Sequence, residues 1–295
     1  MKRRIANYPV FRPPAEADSL ILQLDHGCPY NRCTFCGMYR GLPYCRLSLD
    51  EVESLVTDES RHYTQAQRIF LGDGDVMHRP FDELRAILEM LNEHFPRLAR
   101  VSTYANGSSI NAKSEEQLRS LRTLKLHTLY MGLESGDDDV LKQCRKGATA
   151  AEMVDAGIRA QDCGLRMSVM VLLGLGGAEH TAEHATHTAA ALNHMQPRLL
   201  SALRVIPVRG TELYDDAVDG RFCQLTEYQA VLELRRIVGG LEMKGTVFRA
   251  NHSSNVVALE GRLPRDKDRL LAEMDALLAA GTLDEDSPGA MPLWL

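Results

Sequence analysis

Residues 24–41 read Leu-Asp-His-Gly-Cys-Pro-Tyr-Asn-Arg-Cys-Thr-Phe-Cys-Gly-Met-Tyr-Arg-Gly and place Cys28, Cys33 and Cys36 within nine positions. Gly27, Pro29, Asn31 and Gly37 mark the stretch as a loop rather than a helix or strand. Three close thiols on such a loop can wrap one soft metal centre, because thiolates prefer zinc, copper(I) or the iron of an iron–sulfur cluster. The count is the informative part. A structural zinc site closes with four ligands, and a four-iron cluster normally takes four thiolates. Three thiolates leave one coordination position for something else. Cys45, Cys144, Cys163 and Cys223 are scattered along the chain and are expected to be ordinary buried or half-buried thiols.

The elements that must hold this loop alternate regularly. Short apolar runs over residues 19–25, 68–71, 100–104, 126–133, 167–173 and 199–206 read as strands. Helical patterns fall between them, over 48–63, 81–94, 114–124, 149–163 and 178–195. Ser114 with Gln117 three places on predicts a capping box, and Gly164 predicts a left-handed helix end. Strands that are apolar throughout suit a parallel sheet covered on both faces. Six strand–helix units of this kind, between about residues 19 and 215, predict an α/β fold. Ligands of such sheets and barrels bind at the carboxyl ends of the strands. The unusual residues fall there: the cysteines after the first strand, Gly-Asp-Gly-Asp (72–75) after the second, and Asn106 after the third. Glu134 follows the fourth, Gly-Leu-Gly-Gly (174–177) the fifth, and Arg209 and Gly210 the sixth. One mouth is therefore expected to gather a metal loop, two glycine-rich turns and several polar side chains.

This predicts an extended lead-in over 1–18, a core over 19–222, and a mostly helical lid or wall over 223–295. In that last segment helices are expected over 226–241 and 265–280, with a short strand over 246–249. The 295 residues are 44% hydrophobic with one Trp, so the core should rest on Leu, Val, Ile and Met. A net charge of −6 argues against wrapping nucleic acid by bulk electrostatics. No apolar run reaches the roughly 18 residues of a membrane span. Positive charge at the first residues, without an apolar stretch after it, does not make a secretory signal. Seven cysteines, three of them clustered, fit a reducing cytoplasm better than a disulfide framework.

The loop resembles the cluster-binding motif of the radical S-adenosylmethionine (radical SAM) superfamily, Cys-x3-Cys-x2-Cys. Here the spacing is Cys28-x4-Cys33-x2-Cys36, one residue longer, with an aromatic residue, Phe35, before the last cysteine. The resemblance covers roughly residues 19–215. It implies a partial (β/α)6 TIM-type barrel with a helical C-terminal extension, in agreement with the six units, and it is distantly like oxygen-independent coproporphyrinogen oxidase-like proteins at barrel level. It also implies a [4Fe-4S] cluster held by Cys28, Cys33 and Cys36, whose fourth iron binds the amino and carboxylate groups of S-adenosylmethionine (SAM). One electron, from a flavodoxin- or ferredoxin-type donor, then breaks a carbon–sulfur bond, and a 5′-deoxyadenosyl radical abstracts hydrogen from a substrate. On the same resemblance Gly72, Asp73, Gly74 and Asp75 stand where the superfamily carries a Gly-Gly-Glu-like turn for the methionine amine. Asn106 and Glu134 are candidates for the ribose hydroxyls or the amine, and Gly174 opens the turn near adenine. Ser168 and Arg204 lie on the fifth and sixth strands, and Arg204 suits a methionine or substrate carboxylate.

Each motif also has a plainer reading. Gly-Asp-Gly-Asp can be a tight turn with solvated acids, Asn106-Gly107 simple turn chemistry, and Glu134 a helix-start acid. His180, His184 and His187 share a helix face at a spacing that could hold zinc, though such a face is more often solvated. In the tail, His252 is expected to face substrate. The competing function is a non-catalytic cysteine loop, zinc or iron–sulfur, used for structure or sensing. Without a cobalamin domain, a second cysteine cluster or a basic appendage in the sequence, a small-molecule substrate is expected, by elimination, for the enzyme.

Overall fold

The computed structural model describes residues 10–290, which divide into two compact units. Eight strands form one sheet. The first unit holds residues 10–31, 38–131 and 159–167. Its strands β1 (Leu20–Gln23), β4 (Arg68–Gly72), β5 (Arg100–Tyr104) and most of β6 (Leu126–Glu134) pair in parallel, with Leu22 beside Leu71 and Leu71 beside Thr103. Leu22, Ile69, Phe70 and Val101 are fully buried, as strands covered on both faces require. Helices α1 (Leu49–His62), α2 (Phe81–His94), α3 (Gly107–Asn111) and α4 (Glu115–Thr123) connect them. The predicted capping box of Ser114 with Gln117 opens α4, and a second one, Ser48 with Glu51, opens α1.

The first strand is shorter than the apolar run 19–25 predicts. It ends at Gln23, and Asp25–His26 (β2) turn away to pair antiparallel with Cys45–Arg46 (β3), making a small ribbon at the base of the cysteine loop. Within the expected extended lead-in, Pro14–Glu16 form one 3-10 turn. Glu16 is buried there and accepts from Ser19 Oγ at 2.5 Å and from the Tyr130 hydroxyl at 2.7 Å. Residues 1–9 of the lead-in lie outside the described residues.

The second unit holds residues 32–37, 132–158 and 168 onward. It contains most of β7 (Arg166–Leu173), and β8 (Leu199–Arg204), β9 (Thr246–Ala250) and β10 (Leu259–Leu263). Strand β8 runs parallel to β7 and to β9, and β10 is antiparallel to β9. Its helices are α5 (Asp138–Gln143), α7 (Thr181–Met195), α8 (Glu212–Val218), α9 (Glu227–Gly240) and α10 (Lys267–Ala279). Helix α6 (Ala150–Asp162) leads out of this unit and ends at Gly164, whose φ of +84° is the predicted left-handed cap. The segment from 223 on therefore carries, besides two helices, a seventh parallel strand and an antiparallel edge strand. Both are short and half-buried, so they lack the apolar run that marks the inner strands.

Candidate active site

In the first unit the turn after β4 is built around Cys28. A Cβ placed on Gly74 would lie 2.8 Å from Cys28 Cβ and 3.0 Å from the Tyr39 ring, so only glycine lets this thiol sit against the turn. The Gly74 N–H donates to the Gly27 carbonyl at 3.2 Å, joining the turn to the start of the cysteine loop. Gly74→Ala is expected to force Cys28 and the turn apart at a cost of about 1–3 kcal/mol. Iron incorporation on anaerobic reconstitution should fall with it. The denaturation midpoint and iron per chain, measured together, check this; parent values for both would count against it.

Asp73 and Asp75 are both buried. Gln23 Nε2 donates to Asp73 at 3.1 Å, and Ser109 Oγ lies 2.9 Å from both carboxylate oxygens of Asp75. Burial pushes the Asp75 carboxyl up to about 7, and bonds from Ser109 and from the Asn106 backbone and side chain oppose this. Asn106 is the N-cap of α3 in a capping box with Ser109. Asp75 thus ties the turn after β4 to the start of α3, and Asn106 takes part in that tie.

Behind this turn stands Arg79, which sequence reasoning did not single out. It is wholly buried and faces the equally buried Asp25 at 2.7 Å. It also donates to the carbonyls of Leu24 at 2.9 Å and Leu47 at 3.0 Å, so one guanidinium clamps both strands of the β2–β3 ribbon. Burial pushes the Asp25 carboxyl up, and Arg79 and the Tyr44 hydroxyl pull it back. Nothing in His-Arg-Pro (78–80) distinguishes this arginine from a surface one.

In the second unit the loop residues 32–37 are stitched to the turns after β6 and β8. Thr34 N–H donates to the Cys144 carbonyl at 3.0 Å, and Leu213 N–H donates to the Thr34 carbonyl at 3.1 Å. Phe35 packs on a buried cluster of Val140, Cys144, Leu175, Val205 and Leu213. This aromatic anchors the loop between Cys33 and Cys36. Glu134 closes β6 at φ +61°, a strained conformation for a non-glycine residue. Its carboxylate lies over Gly132, where a Cβ would fall on Glu134 Oε1. Lys146 Nζ donates to that carboxylate at 2.9 Å, both side chains being about nine-tenths buried. Burial disfavours the Lys146 cation, but the Glu134 and Cys33 charges beside it more than compensate and raise its pKa. Lys146 was missed because nothing in Cys-Arg-Lys-Gly (144–147) distinguishes it from a solvated lysine.

The remaining predicted residues separate. Gly174 follows β7 at φ +77° and its N–H is held by Glu233 at 2.6 Å. Ser168 is buried near the opposite end of β7, about 20 Å away along the strand at 3.3–3.4 Å per residue. Arg204 ends β8, and its guanidinium donates to the carbonyls of Ser254 at 2.8 Å and Pro288 at 2.6 Å. His252 Nδ1 pairs with Ser254 Oγ at 2.9 Å.

Among the described residues no two cysteines are joined in a disulfide; Cys144 and Cys163 are buried, whereas Cys45 and Cys223 are exposed. Burial, with the Cys33 and Glu134 charges, pushes the Cys144 thiol up to about 12, so it stays protonated. Among the described residues no three His, Cys, Asp or Glu side chains are grouped to hold a metal ion. The histidines of α7 act as clamps instead: His184 Nδ1 meets Ser135 Oγ at 2.8 Å, and His187 Nδ1 meets Asp137 at 2.6 Å. A cubane differs from a single ion in placing each thiolate on its own iron. Three half-exposed thiols, one in a cradle only glycine permits and one beside a buried ammonium, are a donor set whose chemistry fits such a cluster.

The family model of the radical SAM superfamily matches residues 23–189. A putative methylthiotransferase of Methanocaldococcus jannaschii is 26% identical over 161 residues, which cover 51% of this chain and 34% of that protein. An uncharacterized methyltransferase of Pyrococcus horikoshii is 24% identical over 203 residues, 67% of this chain and 42% of that protein. The chain thus spans less than half the length of these curated relatives. Among solved structures, methylornithine synthase aligns with a TM-score of 0.53 at 15% identity, over 88% of this chain and 81% of that one. Coproporphyrinogen III oxidase from Escherichia coli aligns with a TM-score of 0.51 at 15% identity, over 88% of this chain and 52% of that one. At such identities the likeness is one of fold, the α/β partial TIM-barrel kind. Among the described residues no helix is long and apolar enough to cross a membrane.

Proposed function

The chain belongs to the radical SAM superfamily of enzymes, whose members use a [4Fe-4S] cluster and SAM, and from that premise we propose which of its residues hold each group and what it acts on. Cys28, Cys33 and Cys36 would hold the cluster and, being three, would leave it open to SAM. When bound, the cluster and SAM supply a 5′-deoxyadenosyl radical that abstracts hydrogen from substrate; the protein contributes orientation, charge and a dry pocket.

The observation that carries the assignment is the packing of Cys28 on Gly74, which seats one cluster thiol against the turn that receives the methionine amine. Asp73, held by Gln23, accepts from that ammonium, and Gly72 and Gly74 let the backbone come close. Asp75 and Asn106 hold the turn in place. Glu134 accepts from the ribose hydroxyls. Its partner Lys146, a buried cation beside Cys33, takes the methionine carboxylate. Arg204 is unsuited to that task because its guanidinium is committed to two main-chain carbonyls. It ties the tail to β8 instead. Gly174 opens the turn that meets adenine.

A low-potential electron carrier of the flavodoxin or ferredoxin type supplies the electron, and the substrate is a small molecule. A net charge of −6 works against a polyanion. The test is anaerobic reconstitution: the protein should turn brown, bind about four irons and four sulfides per chain, and release 5′-deoxyadenosine from SAM when reduced. Colourless protein holding one tight zinc would establish the structural or sensor reading instead. Deuterium passing between labelled deoxyadenosine and one cellular metabolite would name the substrate.

A further inference from the structure

Helix α9 lies beyond the stretch that the family model matches, yet it sends one acid into the middle of the second unit. Glu233 is wholly buried. Its Oε1 accepts the Gly174 N–H at 2.6 Å, and its Oε2 accepts the Thr181 hydroxyl at 2.5 Å. The turn after β7 and the start of α7 are thereby held by one carboxylate from the C-terminal segment.

The same acid faces the turn after β6. His184, also wholly buried, brings Nε2 to 3.6 Å from Glu233 Oε1. Its Nδ1 meets Ser135 Oγ, the residue next to Glu134, at 2.8 Å. Ser135 Oγ already accepts the Asp137 N–H at 2.9 Å, so its hydroxyl hydrogen is assigned to His184 Nδ1. Burial lowers His184 to about 4, so the ring is neutral and the contact with Glu233 is not an ion pair. Burial pushes Glu233 up to about 7, opposed by Thr181 and Gly174. A carboxyl taken out of water at such cost, with a main-chain N–H of a glycine turn as a partner, is more than a packing residue.

We propose that Glu233 is a positioning residue for SAM: by fixing the Gly174 N–H and the start of α7 it presets the turn that meets the nucleoside. This rests on the assignment of Gly174 to the adenine side, made above. It makes cofactor binding depend on the C-terminal segment.

The experiment uses the full chain, reconstituted anaerobically, with labelled SAM in equilibrium dialysis and iron and sulfide assayed on the same samples. Glu233→Ala should keep the parent's iron and sulfide but bind SAM about tenfold more weakly, the lower end for loss of a supporting partner. Its KM for SAM should rise while kcat for 5′-deoxyadenosine at saturating SAM stays near the parent's, the split expected for binding lost without transition-state stabilisation. Glu233→Gln should restore affinity to within about threefold, because its amide oxygen still accepts from Gly174 and its nitrogen can donate to Thr181. Thr181→Val, which leaves the acid in place, should weaken SAM binding by a factor of about three, one neutral hydrogen bond's net worth. Parent affinity in Glu233→Ala overturns the proposal. If Glu233→Ala does not fold, Thr181→Val decides: weaker SAM binding at parent iron content supports the proposal, and parent affinity overturns it. Failure of the underlying assignment looks different, because Gly174→Val would then bind SAM as the parent does.

Discussion

Cys33→Ala protein, reconstituted anaerobically, is expected to be colourless, to hold little iron, and to cleave SAM more than about a hundredfold more slowly than the parent. Cys28→Ala and Cys36→Ala should do the same. The reason is the ligand count. A cubane that already leaves one iron open has no spare thiolate, and losing a second corner exposes it to solvent and loss. Cys144 cannot substitute for its neighbour Cys33, since burial holds its thiol protonated at about 12. Cys223, exposed and far along the chain, serves as the control, and Cys223→Ala should keep parent iron and activity. The measurements are iron, sulfide and visible absorbance per chain, with 5′-deoxyadenosine release. Retention of the full cluster by any one of the three loop variants would exclude that cysteine as a ligand.

Arg79→Ala should destabilise the fold by about 3–5 kcal/mol, the cost of leaving a buried carboxylate without its partner. Asp25 and Arg79 are both fully excluded from solvent, and removing the guanidinium also takes a donor from the Leu47 carbonyl and one of two donors from the Leu24 carbonyl, which keeps the Leu47 N–H. Replacing both partners by apolar residues, Asp25→Leu with Arg79→Met, should recover part of that loss, since no unpaired charge is then buried. Breaking the exposed pair Arg119–Glu115 should change stability by only about 0–1 kcal/mol. Denaturant unfolding of the four proteins measures the differences. An Arg79→Ala loss no larger than that of Arg119→Ala would mean that Asp25 finds water or another partner. The ribbon carries the cysteine loop, so Arg79→Ala should also take up less iron.

The alternation of apolar runs and amphipathic helices was legible because parallel strands and their covering helices leave strong, different periods in sequence. Ser48, Ser114 and Gly164 were read from local chemistry, which acts within a few residues. The turn after β4 and Glu134 at the end of β6 stood out because polar and glycine residues break an apolar strand there. Arg79, Lys146 and Glu233 were not legible for one shared reason. Each is a polar side chain whose partner lies outside the reach of local spacing: Asp25 is 54 residues from Arg79, and Gly174 is 59 from Glu233. Lys146 reaches Glu134 only because the chain doubles back through α5. Glu233 left one faint trace, an acid within the buried stripe of Ala230, Leu234 and Ile237 on α9.

Six strands of the parallel sheet, the main helices between them and the family were readable from residue type and short spacing. Which charges are buried, and with whom, emerges only on folding. The tertiary structure turned Arg204 toward the tail, left Lys146 on Glu134, and put Glu233 on Gly174. The energy of a charge depends on its distance to partners and its exclusion from water, and neither quantity exists along an unfolded chain.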